Sequence, residues 1–216
     1  MAKAPRKRVP GQQGTSGRAS ARPVPRSGAA RGAQERALAD VTHVLEAIEH
    51  PSAIIGGIAV IAWGFARFTA DIDCAIAASS DEIEEILSQF ERGGFEARVA
   101  EPAAFAAKNL VLLLRHQKTG VELDASLAQL GFEGEALRGA VVKRFGGVKI
   151  RVPSLTDLLI YKMVAGRPRD QQDVEELLAL GETVDIVRVT STLASFDELL
   201  DTDRKTGWLR LVEKSP

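Results

Sequence analysis

Residues 55–73 read Ile55-Gly56-Gly57-Ile58-Ala59-Val60-Ile61-Ala62-Trp63-Gly64-Phe65-Ala66-Arg67-Phe68-Thr69-Ala70-Asp71-Ile72-Asp73. A short apolar run, Ala53-Ile54-Ile55, leads into the glycine pair, and an apolar helix is expected from Ile58 to about Phe65. Residues 71–77, Asp-Ile-Asp-Cys-Ala-Ile-Ala, have the composition of a strand. Side chains two apart on a strand share a face, about 6–7 Å apart. Asp71 and Asp73 therefore point one way, and Ile72 and Cys74 the other. Two hard oxygen ligands so placed suit a pair of Mg²⁺ ions of the kind used for in-line phosphoryl and nucleotidyl transfer. A glycine pair between strand and helix lets backbone approach a phosphate and aims helix N-terminal amides at it.

Such a site normally needs a third carboxylate. Two further strands are expected at 110–116 and 121–127, joined by Lys118-Thr119-Gly120. The second of them offers Asp124, with Glu122 on the same face, and the residues alone do not choose between the two. Acids on an otherwise buried strand are costly unless a metal or a hydrogen-bond donor meets them.

Working outward, Leu38, Val41, Leu45 and Ile48 recur at helical spacing and place a first helix from near Glu35 to near His50. Ser79 with Glu82 forms a capping box for a helix that Gly93-Gly94 closes. Residues 141–145 and 148–152 flank Gly146-Gly147 as a hairpin. After Pro153 the pattern turns helical, with helices expected to about Ala165, from Asp170 to Leu180 and from Asp185 to Leu200. The expected fold is α+β, a mixed sheet flanked by helices with a small C-terminal helical lobe. Its expected parts are a disordered basic arm (1–34), a core (35–152) and the lobe (153–216).

The motif Ile55-Gly56-Gly57 … Arg67-Phe68-Thr69-Ala70-Asp71-Ile72-Asp73 resembles the signature of the nucleotidyltransferase superfamily, whose fold is that of the polymerase β palm. The stretch 154–173 resembles the segment after the core in abortive-infection (AbiEii-like) nucleotidyltransferases. Together the resemblance spans about residues 50–180. It implies that Asp71 and Asp73 bind Mg²⁺, that Asp124 is the third carboxylate, and that Gly56 and Gly57 hold a nucleoside triphosphate. Arg67 and Thr69 are implied to support phosphate binding or loop geometry. The third carboxylate is the point of departure from the pattern, since Glu122 competes with Asp124.

Lys162 lies between Leu155, Leu158 and Leu159 on an apolar helix face. Either it snorkels to solvent or, as the resemblance implies, it reaches the triphosphate. Asp170 and Asp173 share a face of the next helix and are expected to pair with Arg167 or Arg169 as structural groups. Cys74 reads as a small core hydrophobe. Trp63 and Trp208 read as packing residues. His43, His50 and His116 lack metal-ligand spacing.

Charge completes the picture. The 216 residues sum to −1, but residues 1–34 hold eight basic side chains and no acid. The remainder therefore carries 20 basic and 29 acidic residues, a net of −9. A single cysteine argues against a disulfide framework or a cysteine-rich zinc site and fits a cytoplasmic setting. No apolar run reaches the roughly 18 residues of a membrane span. There is no Walker A sequence, nucleophile elbow or dinucleotide fingerprint. An RNA acceptor, tRNA among them, gives the basic arm a role, because it holds phosphates that an acidic body repels. A small-molecule or protein acceptor, a non-catalytic nucleotide-binding module, and a toxin with a cognate antitoxin are the other readings.

Overall fold

The computed structural model describes residues 27–128 and 131–214. Helix α1 (Ser27–Ala47) buries Ala37, Leu38, Val41, Val44 and Leu45, the apolar stripe that its helical period creates. It begins eight residues ahead of the expected start near Glu35, and the rest of the expected basic arm, residues 1–26, lies outside the described residues. Strand β1 (Ser52–Ile55) runs directly into α2 (Gly56–Trp63), and β2 (Ile72–Ile76) follows. A single 3₁₀ turn (Ser80–Glu82) then opens α3 (Ile83–Arg92). The Glu82 carboxylate accepts from the Ser79 amide at 2.8 Å and from its hydroxyl at 2.9 Å, the expected cap.

Next come β3 (Phe95–Ala97), α4 (Pro102–Asn109), β4 (Val111–His116), β5 (Glu122–Leu127) and α5 (Gly131–Arg138). The chain continues with β6 (Val141–Phe145) and β7 (Val148–Val152), then α6 (Leu155–Ala165), α7 (Pro168–Leu178), α8 (Ile186–Leu200) and α9 (Arg204–Lys214). Four of these, β3, α4, α5 and α9, have no counterpart among the expected elements. β3 is three residues long, too short for a period-2 signal. α4 is a two-turn helix framed by Glu101 and Leu110 in left-handed conformation.

One sheet has the order β1-β2-β5-β4-β3, with β2 and β5 parallel and every other pair antiparallel. β6 and β7 pair separately as an antiparallel ribbon beside α1, α2 and β1. The fold is the expected α+β one, a mixed sheet flanked by helices with a helical C-terminal lobe. The main apolar core is continuous from the sheet (Ile54, Ile72, Leu112, Leu123) into α6–α9 (Leu158, Leu159, Val174, Leu193, Trp208). Burying one such side chain contributes about 1.5–3 kcal/mol, so sheet and lobe stabilise each other. Trp208 is fully buried and donates its indole N–H to Thr190, while Trp63 donates to the Pro153 carbonyl. Both are packing residues, as expected.

Candidate active site

The site forms where the parallel pair β2 and β5 begins. Register places Asp73 directly beside Asp124, with Ile55 on the far side of Asp73 and Leu113 on the far side of Asp124. Neighbours in register share a sheet face, so Asp73 and Asp124 point the same way while Cys74 and Ala125 fill the core beneath. Asp71 stands just ahead of β2 and is exposed. The Thr69 hydroxyl donates to Asp71 Oδ1 at 3.0 Å, so Thr69 fixes the first acid.

Gly56 ends β1 and begins α2 with φ +62, a conformation that suits glycine. A methyl group at its Cα would overlap Asp73 Oδ2. At Gly57 a Cβ would run into the Arg67 guanidinium and the Thr69 side chain. Both glycines therefore admit close backbone approach between the start of α2 and the acid-bearing loop. Arg67 is held in turn by Asp173 on α7, at 3.1 Å.

Electrostatics mark the same place. Burial holds the Asp73 carboxyl above its ordinary range, and the charges of Asp71 and Asp124 push it further; Lys162 and Arg167 pull it back in part. Asp124 is also raised, first by burial, against the pull of Arg98 and with the push of Asp71 and Glu122. Carboxylates gathered in this way, with Asp71 and Asp124 both pushing Asp73 up, are oxygen donors of the kind a hard divalent cation takes. In the arrangement present, no group of three or more His, Cys, Asp or Glu side chains among the described residues is poised to hold a metal ion. One local reason is Arg98, whose guanidinium binds both Asp124 and, at 2.9 Å, Glu122.

A family profile described as nucleotidyltransferase of unknown function (DUF6036) matches residues 36–211. The chain belongs to this nucleotidyltransferase family. The DUF6036 match supports the superfamily expectation and does not carry the abortive-infection placement drawn from residues 154–173. Among solved structures, this nucleotidyltransferase is similar to the antibiotic-resistance factor ANT(2'')-Ia in solution, with TM-score 0.56 and 14% identity over 79% of this chain and 95% of that one. It also matches the lincomycin-bound lincosamide antibiotic adenylyltransferase LnuA (TM-score 0.46, 17% identity, 66% of this chain and 95% of that one). A third match is an antigenic nucleotidyltransferase-like protein from Paracoccidioides brasiliensis (TM-score 0.48, 16% identity, 67% and 75%). A search of curated proteins returned no match. Among the described residues of this DUF6036 chain, no helix is long and apolar enough to cross a membrane.

Lys162 does not snorkel to solvent. It is buried, and its ammonium lies 2.9 Å from Asp170 and 2.8 Å from Asp173. Of the partners expected for those acids, Arg167 does engage Asp170, whose carboxylate also accepts from the Arg167 amide at 3.3 Å. The Arg167 guanidinium lies 3.9 Å from Asp170, while Arg169 donates to the Phe68 carbonyl. Lys162, Asp170, Asp173 and Arg67 thus form one buried network linking α6 and α7 to the loop before Asp71. Two contributors carry no sequence signal. Arg98 follows β3 and lies in register with Leu113, next to Asp124. Gln34 on α1 donates to the Thr69 carbonyl at 3.1 Å and lies 3.5 Å from the Asp71 carbonyl, fastening the loop from below.

Proposed function

We propose that this nucleotidyltransferase moves a nucleoside monophosphate from a nucleoside triphosphate to an acceptor hydroxyl, with Mg²⁺ as cofactor and RNA as acceptor. The observation that carries the reading is the pairing of Asp73 with Asp124 on parallel strands, with the Gly56 backbone against Asp73. The acceptor oxygen bonds to the α-phosphorus and gives up its proton to solvent, the bond from that phosphorus to the β-phosphate bridge breaks, and pyrophosphate leaves. Asp71, Asp73 and Asp124 are the residues that would hold the metal; Glu122, out of register with Asp73 and tied to Arg115 as well as to Arg98, is the poorer candidate. Held by these carboxylates, a Mg²⁺ ion would offset phosphate charge and would make the acceptor hydroxyl more acidic. Gly56 and Gly57 admit the triphosphate to the start of α2. Thr69 orients Asp71. Arg67 and Lys162 supply positive charge near the phosphates while tethered to Asp173 and Asp170.

RNA as acceptor is supported by the eight basic residues of 1–34 on an otherwise acidic chain. The likeness to an antibiotic-resistance factor favours a second reading, a small-molecule acceptor. A toxin role with a cognate antitoxin, and a cytoplasmic location, are finer expectations that co-purification and fractionation address. The deciding experiment incubates the protein with each α-labelled nucleoside triphosphate, Mg²⁺ and either total RNA or a panel of aminoglycosides and lincosamides. Label on RNA that disappears in Asp71→Ala/Asp73→Ala supports the proposal, and label on a small molecule supports the second reading. Label on neither, with nucleotide still bound, points to a non-catalytic module.

A further inference from the structure

We propose that the outer face of the β6–β7 ribbon docks the sugar–phosphate backbone of a nucleic acid and leads it to the acid cluster. Alternation sends Phe145, Ile150 and Val152 into the core and leaves Val142, Arg144, Lys149 and Arg151 exposed. In register, Arg144 stands opposite Lys149 and Val142 opposite Arg151. Like charges set directly across a ribbon repel, and neither Arg144 nor Lys149 has an ion-pair partner among the described residues. From Arg138 to Thr156 there are five basic side chains and no acid, on a chain whose residues 35–216 sum to −9. An unneutralised basic strip on an acidic body is the footprint of a polyanion site.

Its position ties it to the chemistry. At the ribbon's turn, Gly146 packs against the carboxylate of Glu35 on α1. The preceding residue of α1 is Gln34, which holds the Thr69 carbonyl beside Asp71. The ribbon's turn and the acid-bearing loop therefore lean on consecutive residues of one helix. The same helix begins at Ser27, about 12 Å before Glu35 at 1.5 Å per residue. Residues 1–26, which precede it, carry seven more basic side chains and no acid. Arginine forks suit phosphate oxygens, and Val142 alone on that face gives too little apolar surface for insertion into a lipid interface. A nucleic acid is therefore the occupant favoured over a membrane. The proposal deepens the RNA-acceptor reading and rests on it only for the choice of RNA over DNA.

The test measures anisotropy of a short fluorescent oligouridylate with the full-length protein across a salt series, without nucleotide or metal. It is repeated with Arg144→Ser/Lys149→Ser, whose side chains are exposed, and thermal melting confirms the fold. Expected is a loss of about tenfold in affinity at low salt, with the log–log salt slope shallower by about 1.4 for two lost phosphate contacts on a single strand. Equal affinity and slope for both proteins overturn the proposal, as does a wild type that ignores RNA and DNA but binds phosphatidylserine vesicles. If the variant loses RNA binding while no triphosphate ever labels an acceptor, the docking surface stands and the transfer reading falls.

Discussion

The Cα of Gly56 faces the carboxylate of Asp73 with no room for a methyl group between them. The glycine also has φ +62, where a side chain costs about 1 kcal/mol or more before any overlap is counted. Gly56→Ala is expected to lower the melting temperature by at least about 2–4 °C, the shift that 1 kcal/mol brings in a chain of this size. Because relief of the overlap moves Asp73, nucleotide transfer is expected to fall on the order of 100-fold. Differential scanning fluorimetry and label transfer check the two parts; a fully active variant would show that the contact does not position Asp73.

Asp73→Asn is expected to separate stability from activity. The folded-state carboxyl of Asp73 is raised by burial and by Asp71 and Asp124. Folding thus favours its protonated form, and the ionised form costs stability. At a pH below the ordinary carboxylate range, folded and unfolded chains both carry the proton and the cost vanishes. Stability then falls as pH rises from that range through the raised folded-state value. The asparagine variant escapes this, so its melting temperature should exceed that of wild type at pH 7 and approach it near the acid end. Millimolar Mg²⁺ or Mn²⁺ should raise the melting temperature of wild type and leave the variant unmoved. A variant less stable than wild type at pH 7 contradicts the assignment.

What could be read in advance follows from the range of the interaction that encodes it. Asp71 and Asp73 lie two residues apart, the first just ahead of β2 and the second within it, Gly56 and Gly57 at a strand–helix junction, and Ser79 with Glu82 at a helix start, all governed by local geometry. The β4–β5 hairpin and the β6–β7 ribbon were equally legible, because alternation and a short turn specify each. Asp124 was legible as a candidate, but preferring it to Glu122 required the parallel register of β2 with β5. That register joins segments about 50 residues apart and leaves no local trace. Arg98 and Gln34 were invisible for the same reason, since each matters only through a partner far along the chain. Lys162 is legible as a charge on an apolar face, and its partners lie beyond the break at Gly166, on a helix whose packing angle no pattern encodes.

Arg98→Ala should sharpen cation binding. The guanidinium engages Asp124 and Glu122 together, so a divalent ion claiming Asp124 competes with a cation already in place. A partly exposed ion pair is worth up to about 1 kcal/mol, and its removal is expected to tighten the apparent Mn²⁺ affinity by roughly fivefold. Electron paramagnetic resonance of free Mn²⁺ during titration measures this without turnover. Unchanged or weaker binding would mean that Asp124 is not a ligand, or that Arg98 orients it for the ion instead of competing.

Lys162 and Asp173 should behave as one buried unit. Their charged groups are 2.8 Å apart and nearly shielded from solvent, and Asp173 also holds Arg67. Removing one member of a buried pair leaves an uncompensated charge, at a cost of about 3–5 kcal/mol. Lys162→Met leaves Asp170 and Asp173 facing each other with only Arg67 and the solvent-exposed Arg167 to balance them. It should therefore be the most destabilising single change at the site. Asp173→Asn leaves Lys162 paired with Asp170 and should cost less, while loosening Arg67 from the Gly57 backbone. The double variant restores the balance of charge and should be more stable than the two single losses added together, a coupling of about 1–3 kcal/mol in urea-unfolding free energies. Additive losses would show that the two residues do not share a network. If coupling is found and Lys162→Met also weakens binding of a nucleoside triphosphate, as read by equilibrium dialysis, the same lysine both braces the fold and presents charge to the phosphates.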